Sequence, residues 1–211
     1  LADNGELRRS EVLAQQVERM LDDPRARSFS NSFVGQWLGT KDVGGRVAPT
    51  VNAVQHYYTP EVAADMREEP VLLFHHILTS NKSILALLAA DYTFLTERLV
   101  KFYELEDQIR DVSGNTFRMV QWPDKRRAGI LGLGGVLAMT SHFKQTSPVL
   151  RGAFVLETLL GTPVPSPPPD VPPLPPVDPP VAFHVHADLA ALPNRTEYVE
   201  SRQLHQRPVL L

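Results

Sequence analysis

The 211-residue chain has no cysteine, only two tryptophans and four methionines, and no long unbroken apolar run. Lack of cysteine excludes a disulfide, a thiolate metal site, a cysteine nucleophile and the CxxCH motif that attaches haem covalently. A membrane-spanning helix needs roughly 18 to 20 apolar residues. The longest candidate, residues 130–140, is too short and rich in glycine, so the chain is expected to be soluble. Charge of one sign is also missing. With 21 Lys and Arg against 24 Asp and Glu, the net charge is −3, which offers no basic surface for a polyanion and predicts no nucleic-acid partner.

What remains is a globular composition, 43% hydrophobic and 21% charged. Once the proline-rich C-terminal part is set aside, about 160 residues are left for a core, a size that fits one domain. The first residue is Leu1, as expected of a processed or truncated product. Residues 6–21 place Leu7, Val12, Leu13, Val17, Met20 and Leu21 on one helical face, predicting an amphipathic helix. Asp22, Asp23 and Pro24 then open a second helix, antiparallel to the first, whose apolar stripe is Phe29, Phe33, Trp37 and Leu38. A loop is expected over 39–59, where Gly44, Gly45 and Pro49 accumulate. Thr59 and Pro60 form a cap and first-turn pair, and Pro70 is expected to kink or interrupt the helix they start. Helical spacing continues over 83–89 and 92–103, with Asp91 as a cap between them. Residues 117–122 alternate like a lone strand, and two last helices are expected at 127–140 and 148–160, the second closed by Gly161.

These elements predict an all-α fold, a bundle-like helical body over 1–162 with a proline-rich extended arm over 163–182 and a tail over 183–211. Eleven of the 18 residues from 163 to 180 are proline, a composition that favours polyproline II. Few residues carry a chemical signal. The glycines of GILGLGG (129–135) lack the spacing of a P-loop or a dinucleotide turn and read as close-packing residues. His75 with His76, and His184 with His186, lack a third ligand, so no metal site is assigned. His142, Ser147 and Asp170 lack the GxSxG elbow of a hydrolase. Glu68, Glu69 and Glu97 beside Arg67 and Arg98 read as ion pairs on a solvated face. Arg126, Arg127 and Arg151 flank the glycine-rich and TSP segments, where helix anchoring explains them without a ligand.

The motifs DYTFLTERL (91–99), RAGILGLGGVLAMTS (127–141) and TSPVLRGAFVLETLLGTPVPSPPPDVPPL (146–174), with RMLDDPRARSFSNSFVGQWL (19–38) before them, resemble domains of unknown function in the large cytochrome c-associated proteins of planctomycetes. The resemblance covers about residues 6–175. It implies a helical accessory module, a periplasmic or secreted setting, and an electron-transfer or oxidoreductase assembly. It also implies a protein partner, such as a c-type cytochrome. No cofactor is expected on this chain: haem c would belong to a partner or to a C-terminal domain beyond the arm. The candidate contact residues for a partner or a haem propionate are Arg127, His142 and Arg151, while no catalytic residue is assigned. The alternative is a non-redox interaction module that docks through its proline-rich arm and tail.

Overall fold

A computed structural model describes residues 1–48, 58–142 and 145–165. Its centre is a 20-residue helix, labelled α3, Pro60–Thr79. The expected start is present: the Thr59 side chain accepts from the Val62 amide at 3.3 Å, and Pro60 occupies the first turn. Val62, Ala63, Met66, Val71, Leu73 and Ile77 are buried along it, and so are Asp65 and Glu69. Of the two expected outcomes at Pro70, interruption does not occur: the helix runs through it. Proline removes the amide that would have bonded the Met66 carbonyl, and another part of the chain lies over that carbonyl. A β-carbon on Gly135 would stand only 2.5 Å from the Met66 oxygen, so the glycine backbone closes over the vacated acceptor.

Helix α1, Ser10–Leu21, forms as expected after a 3-10 turn at Glu6–Arg8, yet buries none of its residues. Helix α2, Ala26–Trp37, packs on α3; of the expected stripe, Leu38 is buried and Trp37 half-buried against the core. Ala26, Ser30 and Val34 are buried, whereas Phe29 and Phe33 are exposed. Small residues allow close approach to α3, where Ser30 Oγ and His75 Nδ1 share a hydrogen bond of 2.9 Å. The aromatic stripe flanks this contact on the outside.

The all-α expectation is corrected at residues 92–103. After a single turn, α4 (Ala86–Ala89), the chain runs as strand β1, Tyr92–Leu95, and only then as helix α5, Glu97–Phe102. Strand β2, Arg118–Gln121, pairs antiparallel with β1, setting Tyr92 opposite Gln121 and Leu95 opposite Arg118. Tyr, Thr and Phe in succession favour a pleated, half-buried strand, and the partner fixes that choice. Asp91 is therefore no helix cap; its carbonyl accepts from the Trp122 amide at 2.7 Å. A second two-stranded ribbon joins β3, Ser141–His142, to β4, Gln145–Thr146. The body is mainly helical with two small antiparallel ribbons.

The glycine-rich segment makes a 3-10 turn at Ile130–Gly132 and a short helix α6, Gly134–Met139, in place of one helix over 127–140. Its glycines serve close packing, as expected. Gly129 has φ +46°, and a β-carbon there would lie 2.3 Å from the Leu87 carbonyl oxygen; on Gly134 it would lie 2.7 Å from the Tyr103 hydroxyl. Helix α7, Pro148–Phe154, starts where expected, with Ser147 Oγ accepting from the Leu150 amide at 3.2 Å. It continues as a π-helical turn, Val155–Leu159, before Gly161 at φ +64°. The proline-rich arm is described only to residue 165, and the tail lies outside the described residues.

Replacing Gly135 with Ala is expected to destabilise the fold by about 1 to 3 kcal/mol, as overpacking against backbone does. Gly152, in α7, has open space where a β-carbon would go, so Gly152→Ala is expected to be neutral or to stabilise by up to about 1 kcal/mol. Urea unfolding of the two variants beside the native chain measures the contrast.

Candidate functional site

The most concentrated polar chemistry is on the buried face of α3. Glu69 is fully buried, with Oε1 accepting from Thr93 Oγ1 at 2.8 Å and Oε2 accepting from the Tyr103 hydroxyl at 2.6 Å. That hydroxyl in turn accepts from the Gly134 amide at 2.8 Å. One carboxyl thus ties together α3, β1, the end of α5 and the start of α6. The guanidinium of Arg127 lies 4.4 Å from the centre of the Tyr103 ring and 5.7 Å from that of Trp122, a cation–π geometry. Burial pushes the Glu69 carboxyl up to about 7, against the lowering effects of the Tyr103 and Thr93 hydrogen bonds and of the Arg127 charge. Burial likewise raises the Tyr103 phenol well above its ordinary value.

One turn earlier, Asp65 accepts from Arg98 through two bonds, Nε at 2.9 Å and Nη2 at 2.8 Å, and from Thr96 Oγ1 at 2.5 Å. Thr96 also caps α5 by accepting from the Leu99 amide. The motif DYTFLTERL is therefore the counterpart of two carboxylates on α3: Thr93 donates to Glu69, while Thr96 and Arg98 donate to Asp65. Both oxygens of each carboxylate are engaged by protein donors, so each carboxyl ties neighbouring elements to α3. The solvated ion-pair reading holds for Glu97, bonded to Lys101 at 2.5 Å, and for Glu68, paired with Arg27. It fails for Glu69. Asp65, Thr93, Thr96 and Tyr103 were not singled out from the sequence. The available signal was that residues 62, 65, 66, 69 and 73 share one helical face, so two carboxylates interrupt an otherwise apolar stripe.

The three candidate contact residues occupy two places. Arg127 is engaged inside the body, donating through Nη1 to the Gly132 carbonyl at 2.7 Å as well as covering Tyr103. Arg151, on α7, approaches Ser141 on β3, with Nη2 at 3.5 Å from Ser141 Oγ. Ser141 Oγ donates to the Leu137 carbonyl at 2.7 Å, so the guanidinium stands near the carbonyl end of α6 through one hydroxyl. No acidic group pairs with Arg151 among the described residues, and its buried Nε has no hydrogen-bond partner. Burial lowers its affinity for the proton. His142, next to Ser141 on β3, is exposed. The structure thus brings Arg151 to the ribbon that carries His142 and uses Arg127 elsewhere. Among the described residues no group of three or more His, Asp and Glu side chains is arranged to hold a metal ion, and no helix is long and apolar enough to cross a membrane.

Comparison with family models divides the chain in two. Residues 1–105 match PSD4, a protein of unknown function (DUF1592), and residues 127–203 match PSCyt3, also a protein of unknown function (DUF1588). Both are domains of unknown function named for planctomycete cytochrome c-associated families. No curated protein and no solved structure matches the chain. The two segments are not separate packing units. The core runs from Val34 to Val136 without a break; Gly135 of the PSCyt3 segment covers Met66 of the PSD4 segment, and Trp37 Nε1 donates to the Thr158 carbonyl at 3.0 Å.

Two outcomes are expected. A chain ending at residue 126 should lose cooperative unfolding in urea, because α3 would be left without the cover for Met66 and Glu69. The Glu69 carboxyl has its folded value raised above the unfolded one, so its contribution is complete below about pH 4 and is lost as pH rises through about 7. The stability of the native chain relative to Glu69→Gln should therefore fall between about pH 5 and pH 8, by no more than about 3 kcal/mol from linkage. Urea midpoints across that range measure it.

Proposed function

We propose that this protein is a haem-free helical module of a periplasmic c-type cytochrome assembly, working in electron transfer or oxidoreduction. It docks a haem-bearing partner or domain and does no redox chemistry itself. Two facts support the reading: both segments carry names tied to cytochrome c-associated families, and the absence of cysteine leaves covalent haem to another polypeptide or domain. The observation that carries it is Arg151, a half-buried guanidinium with no acidic partner among the described residues, which approaches Ser141 on the ribbon that also carries His142. An uncompensated guanidinium of this kind is poised to take a carboxylate bidentately, and a haem propionate is such a group. Arg127 supports the reading from behind by holding the Gly132 turn that leads into α6.

The test is purification of the tagged full chain under native conditions, followed by visible absorption. A Soret band is expected with the native chain. Arg151→Lys keeps the charge but loses the planar fork, so it should diminish the band while the melting temperature stays unchanged. Absence of the band with the native chain, or its loss only in step with unfolding, would overturn the proposal. A second reading is a non-redox interaction module that docks through its proline-rich arm and tail. It predicts partner capture without haem.

A further inference from the structure

The sequence places its largest concentration of proline directly after the last described element, and beside that exit the structure has a row of aromatic rings of which Phe29 and Phe33 are exposed and Trp37 and Phe74 half-buried. Phe29, Phe33 and Trp37 follow one another at successive turns of α2. Phe29 and Phe33 are stacked with centroids 5.7 Å apart, and Phe33 and Trp37 lie 5.5 Å apart. Phe74 of α3 widens the row, 5.3 Å from Phe33. Phe29 is 54% exposed and Phe33 42%. Aromatic side chains on the outside of a mainly helical body lose contact area that burial would turn to advantage.

We propose that this row is the docking surface for residues 166–180 of the same chain. Three observations select that occupant. The Trp37 end of the row is joined to the C-terminal part of the body by the bond from Trp37 Nε1 to the Thr158 carbonyl, so the chain leaves within a few residues of the row. Gly161, at φ +64°, turns the backbone there, and residues 161–165 are exposed and uncommitted to the core. Nine of the 15 residues from 166 to 180 are proline, and proline-rich segments recognise aromatic-lined surfaces because little conformational entropy remains to be lost. At a rise of about 3.1 Å per residue, roughly four residues of polyproline II span the three rings. Tethering so close to the site makes the intramolecular contact favourable at affinities too weak for a free ligand. The inference stands apart from the cytochrome reading and does not depend on Arg151.

The native absence of cysteine makes the test direct. A single nitroxide is attached to the full chain through Val171→Cys, and nuclear magnetic resonance signals of the body are compared with the nitroxide oxidised and reduced. The expected result is loss of the Trp37 indole N–H signal and of the amide signals of residues 29–37, with those of Glu97 and Lys101 retained. Phe29→Ser with Phe33→Ser should restore the lost signals near Trp37 at an unchanged melting temperature. If the double substitution lowers that temperature, Phe29→Ser alone, at the most exposed ring, is expected to restore them in part. Mixing nitroxide-bearing chain with isotope-labelled chain that carries no nitroxide tests for a second copy as the occupant. Signal loss in that mixture equal to that in the single chain overturns the proposal, as does no loss at α2, uniform loss over the body, or loss that the serine substitutions leave unchanged.

Discussion

The fold depends on how one helix manages two polar defects on its buried side. Residue 70 of α3 is proline, which leaves the Met66 carbonyl without its helical donor, and residue 69 is a fully buried glutamate. Either defect alone would cost free energy in a dry core. The same pair of glycines meets both: Gly135 packs against the carbonyl with no room for a β-carbon, while the Gly134 amide holds the Tyr103 hydroxyl that donates to Glu69. The adjacent glycines are needed because a β-carbon on either would collide with what it covers. Arg127 then lies on the outer face of Tyr103 and ties down the turn that precedes these glycines.

This arrangement explains why the two ranges matched by family models make one body among the described residues. The boundary between PSD4 and PSCyt3 falls between residues 105 and 127, and β2 with Trp122 lies inside that interval. Strand β2 pairs with β1 of the PSD4 segment, while Trp122 packs on Tyr103 and beneath Arg127. The connecting stretch is thus part of the core and not a linker. A carboxyl on α3, a hydroxyl after α5 and an amide at the start of α6 form one chain of hydrogen bonds across the division, so neither segment satisfies its buried polar groups alone.

The exterior divides into surfaces of different chemistry. Near β3 and α7, a guanidinium without an acidic partner among the described residues approaches Ser141, and His142 of the same ribbon is exposed. Along α2 the exposed groups are aromatic rings, suited to apolar, conformationally restricted chain. Helix α1 adds a third, with Leu13, Val17 and Met20 outside any packing in the described structure.

The sequence by itself determined the helix starts at Thr59–Pro60 and Ser147–Pro148, the Gly161 stop, the packing role of the 129–135 glycines and the absence of a CxxCH motif, because each follows from local stereochemistry or from a residue type being absent. It also contained the family resemblance. Only the tertiary structure decided that YTFL is a strand, since an extended segment of four residues needs a hydrogen-bonded neighbour, and RMVQ lies more than twenty residues away. It decided that α2 buries Ala26, Ser30 and Val34 and displays its phenylalanines, because close approach to α3 favours small side chains whatever their hydrophobicity. Glu69 shows the same limit: its position on an apolar stripe was legible, but a buried carboxyl is tolerable only with donors, and those donors, Thr93 and Tyr103, are brought to it by elements distant in the chain.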